Sequence, residues 1–152
     1  RYYFLMLLKN EGDTEKLAKR LVKLSKKDNT VICLNGDLGS GKTTFTRYFI
    51  RNFFKGLEIK EIPSPTFTLL QVYEHDGHTI NHYDFYRLKN SSELFELNFG
   101  EAVTDDVCLI EWADKFEEIL PIDRIQLNFQ IKSKVSRSVQ ISLRGKFKNQ
   151  KY

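Results

Sequence analysis

Leucines at positions 17, 21 and 24 repeat on one face of a helix whose opposite face carries lysines, predicting an amphipathic helix that begins near Asp13 or Thr14. It should pack by its Leu face. Residues 30–35 (TVICLN) form a short apolar run rich in β-branched side chains, which suits a buried strand. Phe45, Phe49 and Phe53 then fall at i, i+4 and i+8, with Tyr48 and Phe54 beside them, predicting a second helix with an aromatic face. In residues 62–66 (IPSPT) two prolines forbid helix and force an extended loop, the expected mobile element. Residues 67–74 and 79–86 are β-rich and flank His75-Asp76-Gly77-His78, whose central Asp-Gly signals a hairpin turn between antiparallel strands. Ser91 or Ser92 is placed to cap a short acidic helix ending near Gly100, and residues 107–110 give a second buried strand running into Glu111-Trp112. A brief helix over 114–120 stops at Pro121, and alternating strands over 125–131 and 139–143 complete the pattern.

This order predicts an α/β fold of the P-loop NTPase-like kind: one domain over residues 1–152, a mixed sheet, and helices on both faces. Ligand then belongs at the carboxyl ends of the central strands. Lys and Arg outnumber Asp and Glu by 24 to 20, a formal charge of +4, and residues 146–152 (KFKNQKY) read as a flexible basic tail. The other lysines gather on residues 16–27 without interleaved aromatics, so they describe a solvated helix face rather than a nucleic-acid surface. Cys33 and Cys108 each sit in an apolar run, as buried thiols of a reducing cytoplasm do. No apolar stretch reaches the ~20 residues of a membrane span. Residues 2–8 are too short and poorly flanked for a signal peptide, and the chain opens on Arg, so its natural start is expected upstream.

Residues 36–44 (GDLGSGKTT) match the phosphate-loop pattern G-x-x-x-x-G-K-[ST] at every fixed position, between a predicted strand and a predicted helix. Gly36, Gly39 and Gly41 allow successive backbone N–H groups to point inward around phosphate oxygens. Lys42 supplies a point charge for the β and γ phosphates, Thr43 a hydroxyl for Mg²⁺, and the following helix its positive dipole end. Phosphoryl chemistry also needs an acid near the metal, and both Glu111 and Asp84 stand toward strand ends; either could hold Mg²⁺ or orient the attacking water. Thr66 and Thr68 follow the Pro loop, where nucleotide switches place a sensing hydroxyl. Trp112, the sole tryptophan, fits equally beside the nucleotide or in the core. His75, His78 and His82 lack metal-ligand spacing and read as surface or core residues.

GDLGSGKTTFTR, SPTFTL at 64–69, HYDFYRL at 82–88, EL at 93–94 and LIEW at 109–112 together resemble the TsaE family of small bacterial ATPases, in order and over essentially the whole chain. The resemblance implies an Mg-dependent ATPase, weak alone, that acts with TsaB and TsaD in forming threonylcarbamoyladenosine beside the tRNA anticodon. It meets tRNA through that complex rather than catalysing the modification itself. Carried over, Lys42 binds phosphate, Thr43 and Glu111 hold Mg²⁺, Asp84 serves hydrolysis or metal organisation, Thr66 lies in a switch-like loop and Trp112 lies close to the nucleotide. Gly39, Ser40, Gly41 and Thr44 complete the loop contacts, while Glu11, Lys134 and Arg137 reach the base side of ATP. Departures are modest: Phe67 and Tyr83 exchange one aromatic for another, Asn98 replaces a usual glycine, and Ala113 stands where proline is frequent. A small P-loop nucleoside or nucleotide kinase is the alternative, and a non-hydrolysing, nucleotide-gated module a third reading. A GTPase is disfavoured because no Asn-Lys-x-Asp segment occurs.

Overall fold

The computed structural model describes residues 2–149. Seven strands form one sheet: β1 (Tyr2–Leu8), β2 (Val31–Asn35), β3 (Leu70–His75), β4 (His78–Asp84), β5 (Val107–Glu111), β6 (Arg124–Ile131) and β7 (Arg137–Arg144), in the order β1-β7-β6-β2-β5-β4-β3. The centre is parallel, with β2 between β5 and β6 and β4 beside β5, and both flanks are antiparallel. That is the expected mixed sheet. β1, for which no strand was expected from the sequence, is defined by pairing with β7, 129 to 141 residues along the chain, with Leu5 opposite Gln140.

Helix α1 (Glu11–Lys27) begins before the expected Asp13 or Thr14, because Asn10 caps it: its Oδ1 accepts from the Asp13 N–H at 3.0 Å. Helix α2 (Lys42–Phe53) follows the phosphate loop directly. These two helices cover one sheet face, where Leu17, Leu21, Phe45, Phe49 and Phe53 pack on Ile32, Leu34, Leu109, Leu127 and Ile141. Helices α3 (Ser92–Phe95) and α4 (Phe99–Asp105) and a 3₁₀ segment (Ala113–Ile119) cover the other, burying Tyr83, Phe85, Leu94 and Phe99 against Cys33, Cys108 and Ile110.

The single acidic helix expected to end near Gly100 is two helices, and Gly100 lies inside the second. The break is at Asn98, which takes a left-handed conformation (φ 56°) that no α-helix interior can hold. Asn and Asp enter that region more readily than most residues bearing a side chain, because their short polar groups can hydrogen-bond locally. Neither Ser91 nor Ser92 caps; the Asn90 side chain accepts the Ser92 N–H at 3.1 Å. The hairpin turn behaves as read, with Asp76 (φ 55°) and Gly77 (φ 79°) both left-handed as a type I′ turn requires.

The basic tail expected from residue 146 is docked where it can be described. Gly145–Phe147 form a 3₁₀ turn, Phe147 is buried, the Lys146 N–H donates to Asp123 Oδ1 at 2.8 Å, and its ammonium pairs with Asp28 at 2.9 Å. The remainder of that expectation, residues 150–152, lies outside the described residues. Both cysteines are buried and free; burial pushes the Cys33 thiol up to about 12 and raises Cys108 as well. Among the described residues no helix is long and apolar enough to cross a membrane.

Candidate functional site

The carboxyl ends of β2, β4 and β5 meet the N-terminus of α2, and every buried charge of the catalytic candidates lies at that junction. Between β2 and α2 the chain passes so close to β6 that only glycine fits at position 36: a Cβ there would stand 2.6 Å from Phe129 O and from Ser40 Oγ. Gly41 caps α2 in the left-handed region (φ 118°), so the helix opens with Lys42 and its unsatisfied N–H groups face the loop.

Lys42 is 4% exposed, and its ammonium is folded back on its own loop. It donates to Gly36 O and, at 2.9 Å, to Asp37 O, lies 3.5 Å from Ser40 Oγ, and sits 4.0 Å above the Trp112 ring. Burial lowers its pKa below the usual lysine value, opposed by the carboxylates of Glu111, Asp84 and Asp37. Trp112 reaches this position because its backbone is left-handed (φ 58°), turning the chain sharply out of β5; Tyr86 packs on its other flank, ring centroids 5.0 Å apart.

Thr43 Oγ1 donates to Glu111 Oε1 at 2.7 Å, and Glu111 Oε2 lies 2.6 Å from His82 Nε2. The parallel register sets Asp84 directly beside Glu111. Asp84 is a hub of accepted hydrogen bonds: Oδ2 receives Ser64 Oγ at 2.8 Å and Thr66 Oγ1 at 3.0 Å, and Oδ1 receives the Tyr86 N–H at 2.9 Å. The Pro loop is thus tied to the site by one buried carboxylate.

Two cavities adjoin here and share Gly39, Gly41 and Thr44. The first, about 320 Å³, is lined by Lys42, Thr43, Ser64, Thr66, Asp84, Tyr86, Glu111 and Trp112, with Leu38 on its rim. The second, about 290 Å³, is lined by Leu8, Asn10, Glu11, Thr14, Lys134, Val135 and Arg137. Together they make one elongated cleft with the phosphate loop in its middle. Glu11 accepts from Tyr48 Oη at 2.8 Å, and Arg137 Nη2 donates to Gly39 O at 3.1 Å.

The structure therefore brings the candidates together, with two exceptions: Ser40 is buried behind Lys42 and lines neither cavity, and Thr68 is exposed outside both. His75 and His78 are exposed and lie edge-on against Phe54 and Phe53. His82, grouped with them in the sequence, is wholly buried and bonded to Glu111. Its signal was its place two residues before Asp84, which puts both on one face of the strand. Ser64, the other residue missed, needed the loop's path to β4 to be known.

Oxygen donors dominate the junction: the Thr43 hydroxyl and the carboxylates of Glu111 and Asp84 suit a hard cation such as Mg²⁺. Among the described residues no group of three or more His, Cys, Asp or Glu could hold a metal ion alone. This donor set fits Mg²⁺, which takes one or two protein oxygens and completes its shell with phosphate and water.

The family model described as threonylcarbamoyl adenosine biosynthesis protein TsaE matches residues 8–139. Among curated proteins, the "tRNA threonylcarbamoyladenosine biosynthesis protein TsaE" of Rickettsia felis is 45% identical over 127 residues, covering 84% of this chain and 72% of its own. The protein of the same name from Bacillus subtilis is 41% identical over 122 residues, 78% of this chain and 72% of its own. Among solved structures, the crystal structure of Bacillus subtilis YdiB superposes with a TM-score of 0.69 at 32% identity, covering 95% of this chain and 87% of its own. A model match that runs from the end of β1 to the middle of β7, and so includes every residue of the cleft, places the chain in the TsaE family.

Proposed function

We propose that this protein binds and hydrolyses Mg-ATP, and that it does so as an accessory to threonylcarbamoyladenosine formation on tRNA, in an ATP-dependent complex with TsaB and TsaD in the cytoplasm. The observation that carries the reading is the 2.7 Å contact of the Thr43 hydroxyl with Glu111, formed at the mouth of a glycine-built loop and beside buried Asp84. The pathway comes from family membership and from the names of the relatives.

In this reading Lys42 exchanges the carbonyls of Gly36 and Asp37 for phosphate oxygens, and the N–H groups at the start of α2 cradle the phosphates. Its desolvation makes the charge count for more than it would in water. Thr43 and Glu111 would hold Mg²⁺, which supplies neutralisation of the charge that spreads over the transferred phosphoryl group. Asp84 would receive a proton from, or orient, the attacking water, and its grip on Ser64 and Thr66 would let occupancy be felt by the Pro loop. Trp112 closes one side of the phosphate chamber, while Glu11, Lys134 and Arg137 face the nucleoside. The kinase alternative gains nothing, since residues 57–69 contain no arginine to form a phosphate-closing lid.

The test is ATP turnover by the purified chain alone and with TsaB and TsaD. The proposal expects weak turnover alone, a clear rise with both partners, and a complex that survives gel filtration only with ATP. No rise and no complex would refute it, and phosphorylation of an added nucleoside would favour the kinase.

A further inference from the structure

We infer that His82 is a positioning residue, which fixes the Glu111 carboxylate so that one of its oxygens is presented to Mg²⁺ together with the Thr43 hydroxyl. This rests on the nucleotide reading above and goes beyond it, because among the described residues His82 lines neither cavity and its side chain is hydrogen-bonded to Glu111.

Glu111 ends β5 with its side chain 2% exposed, and both of its oxygens are engaged. Oε1 faces Thr43 at 2.7 Å and Oε2 faces His82 at 2.6 Å. A carboxylate that holds Mg²⁺ can only accept hydrogen bonds, so in the nucleotide reading the ring nitrogen facing it is the one that carries hydrogen. The other nitrogen, Nδ1, is buried and has no hydrogen-bond partner among the described residues, so hydrogen placed there would be unsatisfied. Both facts select the tautomer with hydrogen on Nε2. The ring is itself immobile: it is 0% exposed, on β4 in the interior of the sheet.

Geometry explains why histidine does this. In the parallel register His82 stands opposite Leu109, two residues before Glu111, so the donor must cross a diagonal between neighbouring strands. A ring with its donor at the far end has that reach, and a serine or threonine does not. Supporting groups of this kind orient ligands, and their loss typically costs about 10- to 100-fold in metal affinity.

The test separates position from bulk. His82→Gln returns an amide N–H to the place of Nε2, whereas His82→Asn, one methylene shorter, returns it only to the place of Nδ1. ATP affinity is read from Trp112 fluorescence in EDTA and across a MgCl₂ titration, with circular dichroism to verify folding. The His82 single variants should bind ATP like wild type in EDTA. His82→Gln should keep its Mg²⁺ half-saturation within about 2-fold of wild type, and His82→Asn should raise it about 10-fold. In a Glu111→Gln background, His82→Asn should add nothing. If His82→Asn does not fold, His82→Phe, which keeps a buried ring without a donor, replaces it with the same expectation. Equal half-saturation for the Gln variant and the donor-displaced variant overturns the inference, as does an undiminished effect in the Glu111→Gln background. A wild-type protein whose ATP affinity ignores Mg²⁺ overturns both this and the metal reading. A responsive wild type with indistinguishable variants overturns this alone.

Discussion

The two halves of the cleft are built in opposite ways. At the phosphate end Lys42, Asp84 and Glu111 are 4%, 1% and 2% exposed, stand on or beside rigid elements, and have their polar atoms committed to named partners. At the nucleoside end Glu11 and Lys134 are exposed, on a helix's first turn and a strand-connecting loop. One end is buried and densely bonded; the other is open to solvent and held by the exposed contacts of Glu11 with Tyr48 and of Arg137 with Gly39. Buried, preorganised groups act at low effective dielectric, whereas exposed ones are screened by water and salt. Affinity and chemistry should therefore reside at the phosphate end, and the nucleoside end should adjust them.

Substitutions at the two ends can break that contrast. Lys42→Ala should have the largest effect, weakening ATP binding by about 30-fold or more, as expected for losing a desolvated charge contact worth ~2–5 kcal/mol. Calorimetric titration measures it, and loss of the cation over the Trp112 ring should change that residue's emission in the free protein as well. Asp84→Asn should leave ATP affinity within about 3-fold but reduce partner-stimulated turnover about 100-fold, the lower range of general acid–base contributions. Because the amide offers one acceptor oxygen to the three donors that the carboxylate's two oxygens served, residues 57–69 should also exchange amide hydrogens faster.

Arg137→Ala removes the hydrogen bond to Gly39 O, worth ~0.5–1.5 kcal/mol, together with those to the carbonyls of Ser133 and Ser136, and should weaken ATP binding about 2- to 10-fold. Lys134→Ala should be smallest, about 2-fold and vanishing at high salt, as for a screened surface charge. A Lys134→Ala effect as large as that of Lys42→Ala would show that the nucleoside end is as organised as the phosphate end.

The same contrast governs what could be read from sequence. The phosphate loop, the aromatic face of α2 and the Asp76-Gly77 turn were legible because each is decided within a few residues. β1 was not, since its place in the sheet is set by pairing with β7 at the far end of the chain. Nor was the split of the acidic helix, which turns on the backbone conformation of Asn98 alone. Asp84 and Glu111 were recognisable as strand-end acids. Their neighbour His82 acquires its meaning from the register of β4 on β5, which neither segment reveals by itself. The docked residues 145–147 depend likewise on distant Asp28 and Asp123.

In the proposed function, ATP held at this phosphate loop drives a step in tRNA modification. Its most direct measurement is threonylcarbamoyladenosine formation on tRNA in a reconstituted reaction with TsaB and TsaD, run with this protein, without it, and with its Lys42→Ala variant. The account predicts sustained modification only with the wild-type chain and ATP. Equal modification without the chain, or with Lys42→Ala in its place, would contradict it.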